Sequence, residues 1–498
     1  MFIHEGVPIK KNLSDEIRKR LVVDTIDRRD KKTGRINVYR RVSYYDSQKK
    51  FNVAVGSKKI GERDAATGQV IDLLRRQSPQ RRAVMDALQE LAAKAENQLS
   101  DSRQEAKVIY DLPIILDVAL LAAMGGQIGA KGLALYWKTN QKDLKDRWGR
   151  LFPKACPTTA TTHRLLRIIN PAEFQKIYEE YVFPLLPVPN QRGCDKALVN
   201  IDGQALRASR TTEGRQHQML SFYSTETGIA FCQIRIEDKS NEKPAALTLA
   251  QRLDLVGTIV TGDAMHCDRI LLETLMAKSR ADYCMALKMN QEKTANEVKA
   301  LFDAHPEAVS ETTRDHGHGR NEVRTTYVLP GNLLSPEIQK KWYGICYGCI
   351  AKQVTERTVI GTNGKEDETS VQTRYYLTSL SSECPDSVRH IQRAIRGHWG
   401  IENKLHHVLD VDFGQDAMQA KNNNFIFNCT QLTKLALAII ELVRRRGIKE
   451  GTMNRRTSIN EIKLMLQNNP KLAGEYLDTF IRESLACAAS RPVEPLTK

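Results

Sequence analysis

Apolar residues along this chain change their spacing several times, and each change marks a predicted element. Residues 36–45 and 51–55 are β-rich and flank the polar stretch 46–50, which predicts a hairpin. Residues 80–105 carry Ala, Gln, Glu and Leu at helical spacing, and 107–188 is helical throughout. Within that stretch, 158–169 follows Pro157 and 171–182 has proline in its first turn, so two helices meet at Asn170. The longest apolar run, 112–135, is interrupted by Asp117, Gln127 and Lys131, and reads as one or two buried helices rather than a membrane span. Three prolines in 184–194 make a linker. Beyond it, strands are predicted at 196–202, 218–224 and 229–237, then a helix at 245–255. A strand ending at Asp263, a helix at 269–279 and a strand at 283–288 follow. Strands, helix, strand, helix, strand is the order of an RNase H-like sheet. A β-rich stretch at 310–380 reads as an antiparallel insertion before helices resume at Ser387. The expected fold is therefore α/β. An RNase H-like domain at 195–445 carries the insertion at 310–380. A β arm (1–70) and a helical domain (80–188) precede it, and a helical tail (446–498) follows.

Length and charge sharpen that picture. At 498 residues the chain exceeds one ordinary core. Its formal net charge of +16 favours a polyanionic partner, most simply nucleic acid. The first sixty residues hold 16 Lys and Arg against 7 Asp and Glu, while the next fifty are balanced at eight each. The excess therefore sits in the arm, where Arg40, Arg41, Lys49 and Lys50 surround the hairpin and could meet a phosphate backbone; a solvated arm with no dedicated role is the other reading. The Thr-rich stretch 158–169 could be a recognition helix, though an ordinary bundle helix is the preferred reading. The N-terminus lacks the pattern of a signal peptide, and ten cysteines without a framework suggest reduced thiols in a cytoplasmic protein.

Three acids stand out chemically. Asp202 and Asp263 each end a short β-branched apolar segment beside a glycine, where open sheets place their active sites. Gly203 and Gly262 are expected to leave room for ions and phosphate near the backbone. Glu402 lies in a segment of helical spacing, and Asp410 and Asp412 follow as rivals for the third acid. A lone acid of this kind is more often structural; the shared setting changes the odds. Three such carboxylates can hold two divalent cations for in-line attack at phosphate. His398, Lys404 and His407 surround Glu402 and are candidate DNA contacts, against a solvated helix face. Cys346 and Cys349 have zinc-type spacing but lack a second pair of ligands, and His316 and His318 read as a flexible turn.

The segments 200–204, 259–267, 283–291, 316–320 and 395–406, in that order, resemble the H-repeat-associated family of bacterial insertion-sequence transposases, part of the DDE superfamily. The resemblance spans roughly residues 105–445. It implies an RNase H-like domain with a β insertion before the glutamate helix, and DNA cleavage and strand transfer. It also implies two Mg²⁺ ions, with Mn²⁺ as a substitute, held by Asp202, Asp263 and Glu402. The implied partners are DNA, as terminal inverted repeats and target, and further copies of the chain assembled on it. The superfamily's usual Tyr and Arg ahead of the glutamate are replaced by Ile395 and His398. Two rivals stay open: a catalytically inactive or domesticated DNA-binding derivative, and a simple nuclease of the same fold.

Overall fold

The computed structural model describes residues 2–4, 7–9, 22–29, 36–46, 51–63, 70–71, 99, 101–103, 108–149, 152–186, 196–206, 217–236, 242–317, 319–360, 368–384, 386–417, 420 and 422–490. The chain divides into two compact units, Met1–Ser100 and Asp101–Lys498.

In the first unit, β1 (Phe2–His4) pairs with β2 (Val7–Ile9), and a second sheet follows. It comprises β3 (Val22–Arg29), β4 (Ile36–Asp46), β5 (Phe51–Arg63) and β6 (Val70–Ile71), all antiparallel and in that order. Arg40 lies opposite Thr25 and Lys58, and Arg41 opposite Asp24 and Ser57. Lys49 and Lys50, and the helix expected at 80–105 for all but its last residues, fall outside the described residues.

The second unit opens with five helices: α1 (Leu112–Met124), α2 (Gly129–Thr139), α3 (Gln141–Trp148), α4 (Thr159–Ile168) and α5 (Pro171–Val182). Local signals set their starts. The Thr158 side chain accepts from the Thr161 amide, and the Asn170 side chain accepts from the amides of Ala172 and Glu173. Every residue of α1 is buried, and α1 and α2 meet at 98°, so the long apolar run is core.

A nine-stranded sheet follows, in the order β12–β13–β14–β15–β11–β10–β7–β8–β9. Its strands are β7 (Ala197–Leu206), β8 (His217–Ser224), β9 (Ile229–Ile236), β10 (Thr258–Gly262), β11 (Asp282–Leu287), β12 (Val309–Gly317), β13 (Arg320–Pro330), β14 (Cys349–Val359) and β15 (Glu368–Thr378). β7, β10 and β11 are parallel to one another; the other pairings are antiparallel. The β-rich segment is thus no separate layer: β15 pairs with β11 and extends the central sheet.

Among these strands lie α6 (Glu242–Ala250), α7 (Arg269–Ala277), α8 (Glu292–Ala304) and α9 (Pro336–Lys341); α10 (Ser387–Ile401), α11 (Asn423–Lys449), α12 (Ile459–Gln467) and α13 (Pro470–Ser490) come after. α10 lies on the sheet because Val388, Ile391, Ala394 and Ile395 recur on one face and pack on Leu198, Ile259, Cys284 and Ala351. Each fully buried isoleucine contributes roughly 1.5–3 kcal/mol to that contact. α11 has the length and hydropathy of a membrane span, but 83% of its apolar window is buried within the protein. It joins the N-terminal helices to the sheet: Asn428 Nδ2 donates to the carbonyls of Leu166 and Ile169, and Gln431 Nε2 to that of Pro171. α4 packs against α2 and α11, and His163 stacks on Phe425 at 4.4 Å. One expectation fails here: Cys384 is disulfide-bonded, so the ten cysteines are not all reduced thiols.

Candidate carboxylate site

The site is built along β7. Residues two apart on a strand share a face, and on this strand Leu198, Asn200, Asp202 and Gln204 all turn towards α10 and the segment after it. Leu198 Cδ1 sits so close to Gly397 that a Cβ there would overlap it. Asn200 Nδ2 donates to the carbonyls of Gly397 (2.6 Å) and His398 (2.9 Å). Asp202 Oδ2 lies 3.4 Å from His406 Nδ1. Gln204 Nε2 donates to Asp410 Oδ1 at 2.9 Å. The six steps from 198 to 204 rise about 20 Å, and the thirteen steps from 397 to 410 would rise about the same at the α-helical rise of about 1.5 Å each, somewhat less where the helix widens. Strand and helix therefore run side by side, as the four contacts in order along both show.

The sequence pattern puts Asp202 at the end of its strand, but it lies inside: β7 continues to Leu206, because β8 pairs with it throughout, with Ser221 opposite Asp202. Asp263 directly follows β10. Gly262 is in register with Ile201 on β7, so Asp263 comes level with Asp202 on the neighbouring parallel strand, where strands lie about 4.8 Å apart. The Asp263 carboxylate accepts from the Met265 amide at 2.9 Å, which holds it in a turn. Glu402 is the first residue beyond α10 and is exposed.

From Glu402 the helix widens. Glu402–His406 and Val408–Asp412 are π-helical, with the His407 amide donating to the Glu402 carbonyl and the Phe413 amide to the Val408 carbonyl. Nothing in the residue types announces this change.

The electrostatics record three acids in one neighbourhood. The Asp202 carboxyl is pushed up to about 7: burial raises it most, and the charges of Glu402 and Asp263 raise it further against the Gly203 amide and His266. Burial holds His406 down at about 3, helped by the Lys434 and His398 charges. It also holds His398 at about 4, with Asp263 opposing. Both rings are thus neutral at physiological pH. Among the described residues no three His, Cys, Asp or Glu side chains are closed to the spacing of a preformed metal site. The donor set nonetheless suits a hard cation, since mutual repulsion of the acids is relieved by a divalent ion with oxygen ligands.

Other predicted residues distribute unevenly. Lys404 and His407 are exposed beside Glu402. His398 is not a surface cation: its Nδ1 lies 3.1 Å from Thr261 Oγ1, so the ring is turned into the sheet. The glycines do not leave room for ions. A Cβ on Gly203 would meet the Glu242 carboxylate at 2.6 Å, and one on Gly262 would meet Met285 Sδ at 2.9 Å. Asp410 is engaged by Gln204 rather than aimed at the other acids. His316 pairs with Asn321, and His318 lies outside the described residues.

Sequence reasoning missed His406 and Lys434. His406 was readable, since a residue four beyond Glu402 shares its face on a helix. Lys434 was not: it sits in the apolar run of α11, 2% exposed, with Nζ donating to Ser221 Oγ at 2.7 Å.

With Asp202 inside β7, Asp263 just after the parallel neighbour β10 and Glu402 just beyond α10, the fold is that of an α/β protein carrying its candidate acids around two adjacent parallel strands. The chain belongs to the DDE transposase family: the family profile described as "Transposase DDE domain" matches residues 194–439, and one described as "DDE_Tnp_1-associated" matches 96–182. It is 29% identical over 375 residues to "H repeat-associated putative transposase YhhI" of Escherichia coli (strain K12), covering 72% of this chain and 93% of that protein. "H repeat-associated putative transposase YbfD" of the same strain is 29% identical over 244 residues, 47% of this chain and 93% of that protein. The cryo-EM structure of piggyBac transposase synaptic complex with hairpin DNA aligns over 83% of this chain and 80% of that chain at 11% identity. The TM-score of that alignment is 0.36.

Proposed function

We propose that this chain is an active transposase that cleaves DNA at the ends of an insertion sequence and joins them to a target by metal-dependent phosphoryl transfer. The observation that carries this reading is the placement of Asp263, at the end of β10, level with Asp202 on the adjacent parallel strand, with the Glu402 charge felt at Asp202. The strand order β9–β8–β7–β10–β11, three antiparallel strands and then two parallel, supports an RNase H-like core within 195–445.

Asp202, Asp263 and Glu402 would hold Mg²⁺, with Mn²⁺ as a substitute. When bound, the ions activate water and then a freed 3′-hydroxyl and stabilise the leaving oxygen. The chain's own residues position the acids. Asn200 and Gln204 tie β7 to the glutamate segment on either side of Asp202. Neutral His406 abuts Asp202 without forming a competing ion pair. Lys404 and His407, with Arg40, Arg41, Lys49 and Lys50 of the arm, are the proposed DNA contacts. DNA ends and target are the substrates, in an assembly of several copies in the cytoplasm.

Supercoiled plasmid bearing the element's ends, incubated with Mg²⁺, tests this. Nicking or double-strand cleavage followed by strand transfer is expected. Cleavage without joining would make the protein a nuclease, and binding without cleavage a DNA-binding derivative.

A further inference from the structure

Asp263 stands outside the ladder that fixes its neighbours. β10 ends at Gly262, so the acid is carried by the turn 263–268 that leads into α7. Bonds within the turn shape it: the Met265 amide donates to the Asp263 carboxylate, the His266 amide to the Asp263 carbonyl and the Asp268 amide to that of His266. Such local bonds set the form of the turn but not its place in the molecule.

Two side chains from beyond the next strand set its place. β11 is parallel to β10, with Met285 opposite Gly262, so both chains leave the sheet at the same edge. Past β11 the chain makes a 3₁₀ turn, Met289–Gln291. From it Asn290 Nδ2 donates to the Ala264 carbonyl at 2.6 Å, one residue after the acid, and Gln291 Nε2 donates to the Cys267 carbonyl at 3.1 Å. The two amides thus grip the turn near both its ends. Gln291 is itself anchored: its Oε1 accepts from Lys341 Nζ at 2.8 Å, and that ammonium lies 4.8 Å from the centroid of the Trp342 ring. Trp342 is fully buried and donates from Nε1 to Thr294 Oγ1. A chain of contacts therefore runs from the core to the backbone of the Asp263 turn. Asn290 is exposed, so its bond to Ala264, not burial, is what its side chain supplies.

We propose that Asn290 and Gln291 are positioning residues, which keep Asp263 level with Asp202 by clamping its turn to the end of β11. A ligand to a metal ion must be held within about 0.5 Å of its productive place by its supporting contacts, and these two amides are the side chains that supply them from outside the turn. The inference rests on the metal-dependent reading above.

The test compares the full-length protein with Asn290→Ala, Gln291→Ala and Asn290→Gln, the last keeping a side-chain amide. Two titrations are read: the Mg²⁺-induced shift in thermal unfolding midpoint without DNA, and the Mg²⁺ concentration for half-maximal plasmid cleavage. Loss of a group that orients a ligand weakens metal affinity by about 10–100-fold. Asn290→Ala should therefore move both titrations upward by about tenfold or more, Gln291→Ala should move them the same way, and Asn290→Gln should recover part of the loss. For Asn290→Ala the unfolding midpoint in EDTA and the DNA affinity should stay at their wild-type values. A bond with a merely structural role would lower the midpoint in EDTA and leave the Mg²⁺ requirement unmoved, and that result overturns the proposal. Should Asn290→Ala not fold, Asn290→Ser, whose hydroxyl is too short to reach the same carbonyl, decides by the same titrations. A wild-type protein that gives no Mg²⁺ response sinks the metal reading itself, a distinct result.

Discussion

Asp202 and Glu402 differ in how they are held, and their substitutions should differ accordingly. Asp202 is partly buried within a strand, whereas Glu402 is an exposed residue at a helix end. Glu402→Gln should therefore abolish Mg²⁺-dependent cleavage with stability and DNA binding intact. Asp410→Asn should reduce cleavage less, because Asp410 is engaged by Gln204 rather than aimed at the other acids. A dead Asp410→Asn beside a fully active Glu402→Gln would reverse the assignment of the third acid. Lys434 also yields a pH prediction. Burial lowers its amine to about 7 in the folded protein, against about 10.4 in an unfolded chain. Between those values the unfolded chain binds a proton that the fold does not, so stability rises with pH across that window; below about pH 7 the full cost is present. Urea unfolding should show wild type gaining on Lys434→Met from pH 7 to pH 9. Parallel stabilities at both pH values would mean the ammonium costs the fold nothing.

Among the elements, α10 and β7 depend on each other through one glycine. The Gly397 position brings α10 against Leu198, and Asn200 then fastens the helix by two carbonyls. Gly397→Ala should push the helix outward, costing about 1–3 kcal/mol of stability and lowering cleavage more than DNA binding. Adding Leu198→Ala makes room for the new methyl and should restore part of both losses, a coupling that a double-mutant cycle measures. Purely additive effects would show that the two residues do not share this contact. The pattern of α10 was legible: its apolar positions fall at helical spacing from Val388 to Ile395. The widening at Glu402 was not, since hydrogen bonds to that segment come from β7 and α12, far away in the chain.

The whole molecule sets charge against architecture. The basic excess of the first sixty residues belongs to a unit compact in itself, and the carboxylate site belongs to the other. Deleting residues 1–70 should lower DNA affinity and flatten its salt dependence by about 0.9 in the logarithmic slope for each phosphate that the arm neutralises. An unchanged slope would make the arm a bystander in binding.

Residue order alone revealed the elements whose signal is local. Alternation and β-branched runs marked the strands bearing Asp202 and Asp263, and spacing marked the helix before Glu402; the acids beside glycines drew attention for the same reason. Local signals cannot say where a strand stops when its neighbour keeps pairing with it, and so β7 runs past Asp202 to Leu206. Nor can they say which neighbour fills the space beside a glycine: Gly203 faces Glu242 and Gly262 faces Met285. Lys434 reads as a stray charge in an apolar helix until folding brings α11 to Ser221 on β8. The tertiary structure decided these points because each is a contact between residues far apart in the chain, Lys434 and Ser221 being 213 positions apart.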